Sequence, residues 1–166
     1  VAPDPKIITQ PITPQTLCQG SPATALKVVV DSGNGDPLSY QWYSSNFNSN
    51  LGGTAIPNAI SDTFLPLTTA TGTFYYYCVI KPIGLDCEKI TNVAVVNVVT
   101  GPSIITQPQP SEICVGGTPT QLSVTYVNGT GSVSYQWFSN GINSNAGGIA
   151  ITGANAANYN PPALVK

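Results

Sequence analysis

Side chains able to do chemistry are few in this chain, and they are scattered. Its 166 residues include no His and no Met, with five Lys plus Arg and seven Asp plus Glu. Without His, the commonest general base and the commonest metal ligand are both missing. No set of acid, base and nucleophile can be assembled from what remains, and no acidic pair marks a cleft, so a non-enzyme is expected. Cys18, Cys78, Cys87 and Cys114 stand singly, with no C-x-x-C pair, which argues against zinc. One acidic grouping is a weak metal candidate: Asp31 and Asp36 in the turn cluster "DSGNGDP", with Asp86 and Glu88 in and beside the loop "KPIGLDC". A hard cation such as Ca²⁺ wants several carboxylate oxygens. The matching turn of the second half, "VNGTGS", has no acid, so a calcium site common to both halves is not expected. No cofactor is implied.

Other polar features have plainer readings. Asn34-Gly35 and Gly52-Gly53 are turn pairs, and no helix follows them to make a phosphate loop. Lys27 could join an Asn in an isopeptide link only from the core, and its parity, opposite to Leu26 and Val28, points it outward. Asn128-Gly129-Thr130 is a glycosylation sequon. Five basic residues without a run give no footprint for nucleic acid. No apolar run approaches the roughly 18 residues of a spanning helix, so membrane insertion is not expected.

The elements that position these residues are organised by repetition. "IITQP" occurs at Ile7 and Ile104, "C-x-G" at Cys18 and Cys114, and "SYQW" at Ser39 and Ser134, offset by 97, 96 and 95 residues. At the last offset Gly52, Ile56, Ala59, Phe64 and Pro66 align with Gly147, Ile151, Ala154, Tyr159 and Pro161. The drift in offset places single deletions in loops while the strands stay aligned. Residues 1–6 then read as a linker or the end of a preceding repeat, 7–100 as unit 1, 101–102 as a linker, and 103–166 as unit 2. Lys166 aligns with Thr71, so unit 2 has no counterpart of Gly72–Thr100. Gly101-Pro102 is short and restricted, and is expected to hold the units semi-rigidly end to end.

Composition agrees with strands. Hydrophobic residues make up 42% of the chain and charged residues only 7%, against about 25% in typical domains, while Ser, Thr, Asn and Gly supply the polarity. A period of two marks strands at 6–10, 25–30, 38–44, 54–56, 63–67, 73–80 and 90–99, with no helical segment. Seven or so short strands in about 95 residues predict an all-β fold of tandem β-sandwich units, the second incomplete. On this reading Leu26, Val28, Trp42, Trp137, Tyr76 and Cys78 are core. Tyr75 and Tyr77 face outward beside Tyr43, a candidate binding strip for a glycan or a protein partner.

Trp42 on the third strand, followed by "TGTFYYYC" with Tyr76 two residues before Cys78, resembles an immunoglobulin-type domain, in which strand C buries a Trp and strand F carries Y-x-C. Strand B reads "ALKVVV", and "QLSVTY" in the second copy. Neither has a Cys, so the usual inter-sheet disulfide cannot form. The longer pattern "QTLCQG…YQWY…NSN.GG…GTFYYYC…C" resembles Ig-like repeats of giant surface adhesins in Bacteroidota, including gliding-motility adhesins exported by the type IX secretion system. That resemblance covers nearly the whole chain. It implies a repetitive, non-catalytic adhesive filament at the cell surface, attached to the outer membrane. Its implied partners are adjacent repeats of the same or a neighbouring chain, and surface polysaccharide. It also implies a Cys18–Cys87 bridge, with Cys78–Cys87 across the F–G hairpin and a bridge between units as rivals. A carbohydrate-binding or accessory module of a secreted enzyme is the alternative function. For unit 2, a sandwich without strands F and G exposes its core; the expectation is a chain cut short, the rival a neighbouring chain that donates the strands.

Overall fold

The computed structural model describes residues 4–129 and 131–163. Thr130, the last position of the sequon, lies outside them, as do residues 1–3 and 164–166. The chain divides into two compact units, Val1–Thr100 and Gly101–Lys166. No helix long and apolar enough to cross a membrane occurs among the described residues.

Unit 1 contains β1 (Lys6–Thr9), β2 (Gln15–Cys18), β3 (Leu26–Lys27), β4 (Val29–Asp31), β5 (Leu38–Ser45), β6 (Thr54–Ala55), β7 (Thr63–Phe64), β8 (Gly72–Pro82), β9 (Lys89–Ile90) and β10 (Ala94–Val99). One sheet runs β2-β10-β8-β5-β6, with β9 added to β8. The opposing layer is built from the antiparallel pairs β1–β4 and β3–β7, which share the continuous segment Leu26–Asp31. Leu26 and Val28 from this layer meet Trp42, Tyr76, Cys78, Ile80, Ala94, Val96 and Val98 from the larger sheet in one core. Along β10 the burial alternates at every residue, the signature of a strand with one face in the core. The strand order is that of an immunoglobulin-like sandwich: A (β1), A′ (β2), B (β3 and β4), C (β5), C′ (β6), E (β7), F (β8) and G (β10).

The structure departs from the periodicity reading at several places. Strand 25–30 is divided at Val28, whose N–H turns to the Asp62 carbonyl at 3.0 Å, and the β1 register shifts between Ile7 and Thr9. Strand 90–99 is divided because Thr91 uses its side chain in the ladder. Its Oγ1 accepts the Cys78 N–H at 2.9 Å, while its own N–H donates to the Cys78 carbonyl at 3.0 Å. Strand β2 has no counterpart in that reading. It pairs parallel with β10, Gln15 opposite Val96 and Cys18 opposite Val99, so no hairpin turn announces it. Asp4 to Lys6 belong to unit 1 and not to a linker: Pro5 is fully buried, and Asp4 holds Lys89 at 2.8 Å.

Unit 2 contains β11 (Ser103–Thr106), β12 (Leu122–Ser123), β13 (Thr125–Val127), β14 (Phe138–Ser139), β15 (Ile149–Ala150) and β16 (Asn158–Tyr159). Its pairs β11–β13, β12–β16 and β14–β15 repeat β1–β4, β3–β7 and β5–β6. Where β5 spans eight residues, β14 keeps two, although "SYQW" is the same in both. A strand needs a partner along its length; β8 supplies it to β5, and no such partner lies along β14 among the described residues.

Candidate functional site

The most specific local structure centres on the tryptophan of each unit. Trp42 N–H donates to the Ala59 carbonyl at 2.9 Å, Trp42 carbonyl accepts from Ile56 N–H at 2.9 Å, and the indole Nε1–H donates to the Ser61 carbonyl at 2.9 Å. Gln41 Nε2 bridges the Trp42 and Ile56 carbonyls at 2.8 and 2.9 Å. Unit 2 reproduces this set 95 residues on. Trp137 N–H meets Ala154 at 3.0 Å, Ile151 N–H meets Trp137 at 2.9 Å, and Trp137 Nε1–H meets Ala156 at 2.9 Å. Gln136 Nε2 there bridges the Trp137 and Ile151 carbonyls at 2.8 and 2.9 Å. The ring stacks on Phe64 at 5.8 Å in one unit and on Tyr159 at 5.9 Å in the other. Gln41 and Gln136 stood within the repeated motif, but nothing in their type alone marked them as bridges.

Burial separates the two copies. Trp42 is wholly enclosed, as are Leu26 and Cys78, with Val28 and Tyr76 nearly so. Trp137, assigned to the core from sequence, is only half-buried, and Phe138 beside it is 59% exposed. The correction has a simple cause: β8 covers Trp42, and unit 2 has no equivalent among its described residues.

The outward aromatic strip is also corrected. Tyr43 and Tyr77 do stack across β5 and β8, centroids 5.2 Å apart and rings within 4° of parallel. Tyr77, however, is buried on that outer face. The loop between β5 and β6 folds over it, its Gly53 N–H donating to the Tyr77 hydroxyl at 2.9 Å and Asn50 Nδ2 donating to the Thr91 carbonyl at 3.0 Å. A Cβ on Gly53 would lie 2.8 Å from that hydroxyl and 2.7 Å from the Ser44 carbonyl, so the closure needs glycine. Tyr43 and Tyr75 remain half-buried, too little for a broad coplanar stacking platform.

The acidic candidates are not brought together. Asp31 Oδ1 accepts from the Gly33 N–H at 2.8 Å, closing its own turn, and Glu88 pairs with Lys81 at 3.0 Å. No group of three potential metal ligands forms among the described residues. Lys27 is exposed, opposite Thr63.

Both cysteine bridges are corrected: all four thiols are free. Cys18 lies level with Val99, and Val98 is level with Gly72, the first residue of β8, whereas Cys87 follows Pro82 at the other end. That separates them by about 35 Å at 3.3 Å per residue, against the roughly 7 Å limit for a disulfide. Lys89 pairs with Ile80, so Cys87 lies about four residues, or some 13 Å, along the strand from Cys78. Burial pushes the Cys78 thiol up to about 12, with Asp62 adding to the rise against a backbone hydrogen bond at Gln41, so it is an inert packing group.

Several solved structures share the general architecture at low similarity. The fragment of Sidekick-1 immunoglobulin domains 1–5 aligns at 18% identity and a TM-score of 0.43, covering 77% of this chain and 26% of that one. The titin I-band fragment I67–I69 aligns at 15% and 0.45, covering 84% and 53%. Extracellular domains 3–5 of Drosophila OTK align at 14% and 0.36, covering 74% and 44%. The chain thus spans about a quarter to a half of these structures' length. No curated protein matches the sequence. Residues 11–100, which take in all of unit 1 except its first strand, match the family model described as "Domain of unknown function (DUF8696)", and the chain belongs to that family.

Proposed function

We propose that this chain is a non-catalytic, load-bearing segment of a long repetitive adhesin or filament at the cell surface. The observation that carries the reading is the parallel pairing of β2 with β10 in unit 1, over Gln15–Cys18 and Val96–Val99. The chain enters the sandwich through β1, which is held to β4, runs on into β2 and leaves from β10, so once β1 has peeled away the load falls on β2 and β10. Tension between the two ends pulls these parallel neighbours in opposite directions, so their hydrogen bonds are loaded in shear and must break together. Repetition of the Trp-centred unit is the second support, because a stalk gains reach by copying one stable module. The surface, neutral and poor in charge, suits a spacer without one dedicated ligand.

The finer proposal is a Bacteroidota surface adhesin of the gliding-motility type, exported by the type IX system and attached at the outer membrane, with neighbouring repeats and surface polysaccharide as partners. Antibody raised against unit 1 should label intact cells of the source organism, and deletion of the gene should lower adhesion to surfaces or spreading. Antigen found only inside the cells would overturn the reading. The accessory-module alternative has no comparable support, since the one candidate glycan platform is closed by its own loop.

A further inference from the structure

Asn-Gly occurs three times in the sequence, at Asn34-Gly35, Asn128-Gly129 and Asn140-Gly141. The dipeptide carries a reaction of its own, because a glycine nitrogen, unshielded by any Cβ, can attack the side-chain carbonyl carbon of the asparagine before it. The fold treats the three copies differently. Asn140 is held at both ends of its amide. Its Nδ2 donates to the Ser144 carbonyl at 3.0 Å and to the Ala146 carbonyl at 2.9 Å, while its Oδ1 accepts from the Ile142 N–H at 3.3 Å. Gly129 is backed by Pro102, whose nitrogen lies 3.3 Å from where a Cβ on that glycine would stand. Asn34 is held by neither means. It and Gly35 are exposed in the turn between β4 and β5, and the side-chain bond of that turn, from the Gly33 N–H to Asp31, leaves both out. Among the described residues the Asn34 amide has no hydrogen-bond partner and the Gly35 N–H has none either. No atom beyond the chain neighbours stands within 4 Å of a Cβ position on Gly35, whose backbone is left-handed at φ 81°.

We propose that Asn34 is a self-modification site, at which the chain's own backbone converts a neutral amide into a carboxylate. The Gly35 nitrogen bonds to Asn34 Cγ, the bond from Cγ to Nδ2 breaks, and Nδ2 leaves as ammonia with the proton given up by Gly35. The product is a five-membered succinimide. Water then adds to one of its two carbonyl carbons and opens the ring. Attack at Cγ gives aspartate, and attack at the main-chain carbonyl gives isoaspartate. Either product adds one negative charge, so residues 31–36 come to hold three carboxylates where they had Asp31 and Asp36 alone. The turn absorbs the altered backbone because glycines flank the site, Gly33 at φ 80° and Gly35 at φ 81°. At Asn140 the same attack must first open both Nδ2 bonds. Each is worth about a factor of five, so that site should react roughly thirtyfold more slowly.

The 166-residue protein, incubated at neutral pH and physiological temperature, is sampled over time for peptide mapping by mass spectrometry. Aspartate and isoaspartate peptides are separated by chromatography, and a parallel sample is kept unfolded in urea. In the folded protein Asn34 should be the first of the three sites to exchange its amide for a carboxylate, with Asn140 roughly thirtyfold behind. In urea the two rates should converge, since the hydrogen bonds that hold Asn140 are gone. Asn128 or Asn140 reacting in the folded protein as fast as Asn34 would overturn the proposal. So would an Asn34 that reacts readily in urea and stays intact in the fold. A second measurement does not depend on unit 2. Isoelectric focusing should show an early acidic species in the parent that is absent from Asn34→Gln, whose longer side chain would have to close a slower six-membered ring. An acidic species that forms equally fast in Asn34→Gln would place the reaction elsewhere and overturn the site.

Discussion

Tyr77 holds Gly53 by a 2.9 Å hydrogen bond from the glycine N–H to the phenol, and this contact decides that an outward-pointing tyrosine is not a surface residue. The loop from Phe47 to Gly53 is pinned at that point, with Phe47 and Leu51 left in solvent at its tip. Gly53→Ala must push the Ser44 carbonyl or the ring aside, and should cost about 1–3 kcal/mol. Tyr77→Phe should cost about 1 kcal/mol while keeping the stack on Tyr43. Urea midpoints for the two variants check the order. A Gly53→Ala protein as stable as the parent would mean that the loop is not closed in this way.

The two tryptophans should respond unequally to the same change. Trp42→Phe removes buried volume and leaves the Ser61 carbonyl without its donor, and should lower stability by about 2–4 kcal/mol. Trp137→Phe acts on a half-buried ring and should cost under about 1 kcal/mol. Thermal melting followed by circular dichroism compares them directly, and equal losses would contradict the difference in enclosure.

That asymmetry also marks the reach of sequence reasoning. Alternation and the repeat located β5, β8 and β10 to within a few residues, because those strands have one face in the core and one outside. Strand β2 escaped notice because its partner is 81 residues distant (Gln15 opposite Val96) and parallel, and four residues carry little periodicity. Parity placed Tyr77 on the outer face correctly, but parity says nothing about a loop that later folds over that face. The bridge at Cys18–Cys87 came from a motif, whereas the distance between the two ends of β8 comes from register alone.

Thr91 is a residue no pattern announced, since unit 2 has no copy of it to compare. Its hydroxyl oxygen is the acceptor for the buried Cys78 N–H, and it is itself fully enclosed. Thr91→Val keeps the shape and leaves that N–H unsatisfied, which should cost about 1–3 kcal/mol. Thr91→Ser keeps the acceptor and should lose less than Thr91→Val. Amide exchange at Cys78 provides a local readout: it should accelerate in Thr91→Val and stay slow in Thr91→Ser.

Stability should fall in alkali, and Cys78 should account for part of the slope. Burial raises its thiol from about 9 to about 12 in the folded protein. Below pH 9 the group is neutral in both states and its contribution is fully present. Between about pH 9 and about 12 the unfolded chain ionises while the folded one does not, so unfolding is favoured increasingly as pH rises. Tyr76, raised by burial, and Tyr40, raised by burial and by Asp62, act in the same direction from pH 10 upward. Cys78→Ala should be less stable than the parent at pH 7, because packing around Trp42 is lost, and the gap should narrow steadily from pH 9 to pH 11. Urea titrations across that range test this, and a gap that stays constant would show that the thiol ionises freely in the fold. Alkylation gives a parallel check at pH 8: Cys18 and Cys114, both exposed, should react in the native protein, and Cys78 only after unfolding.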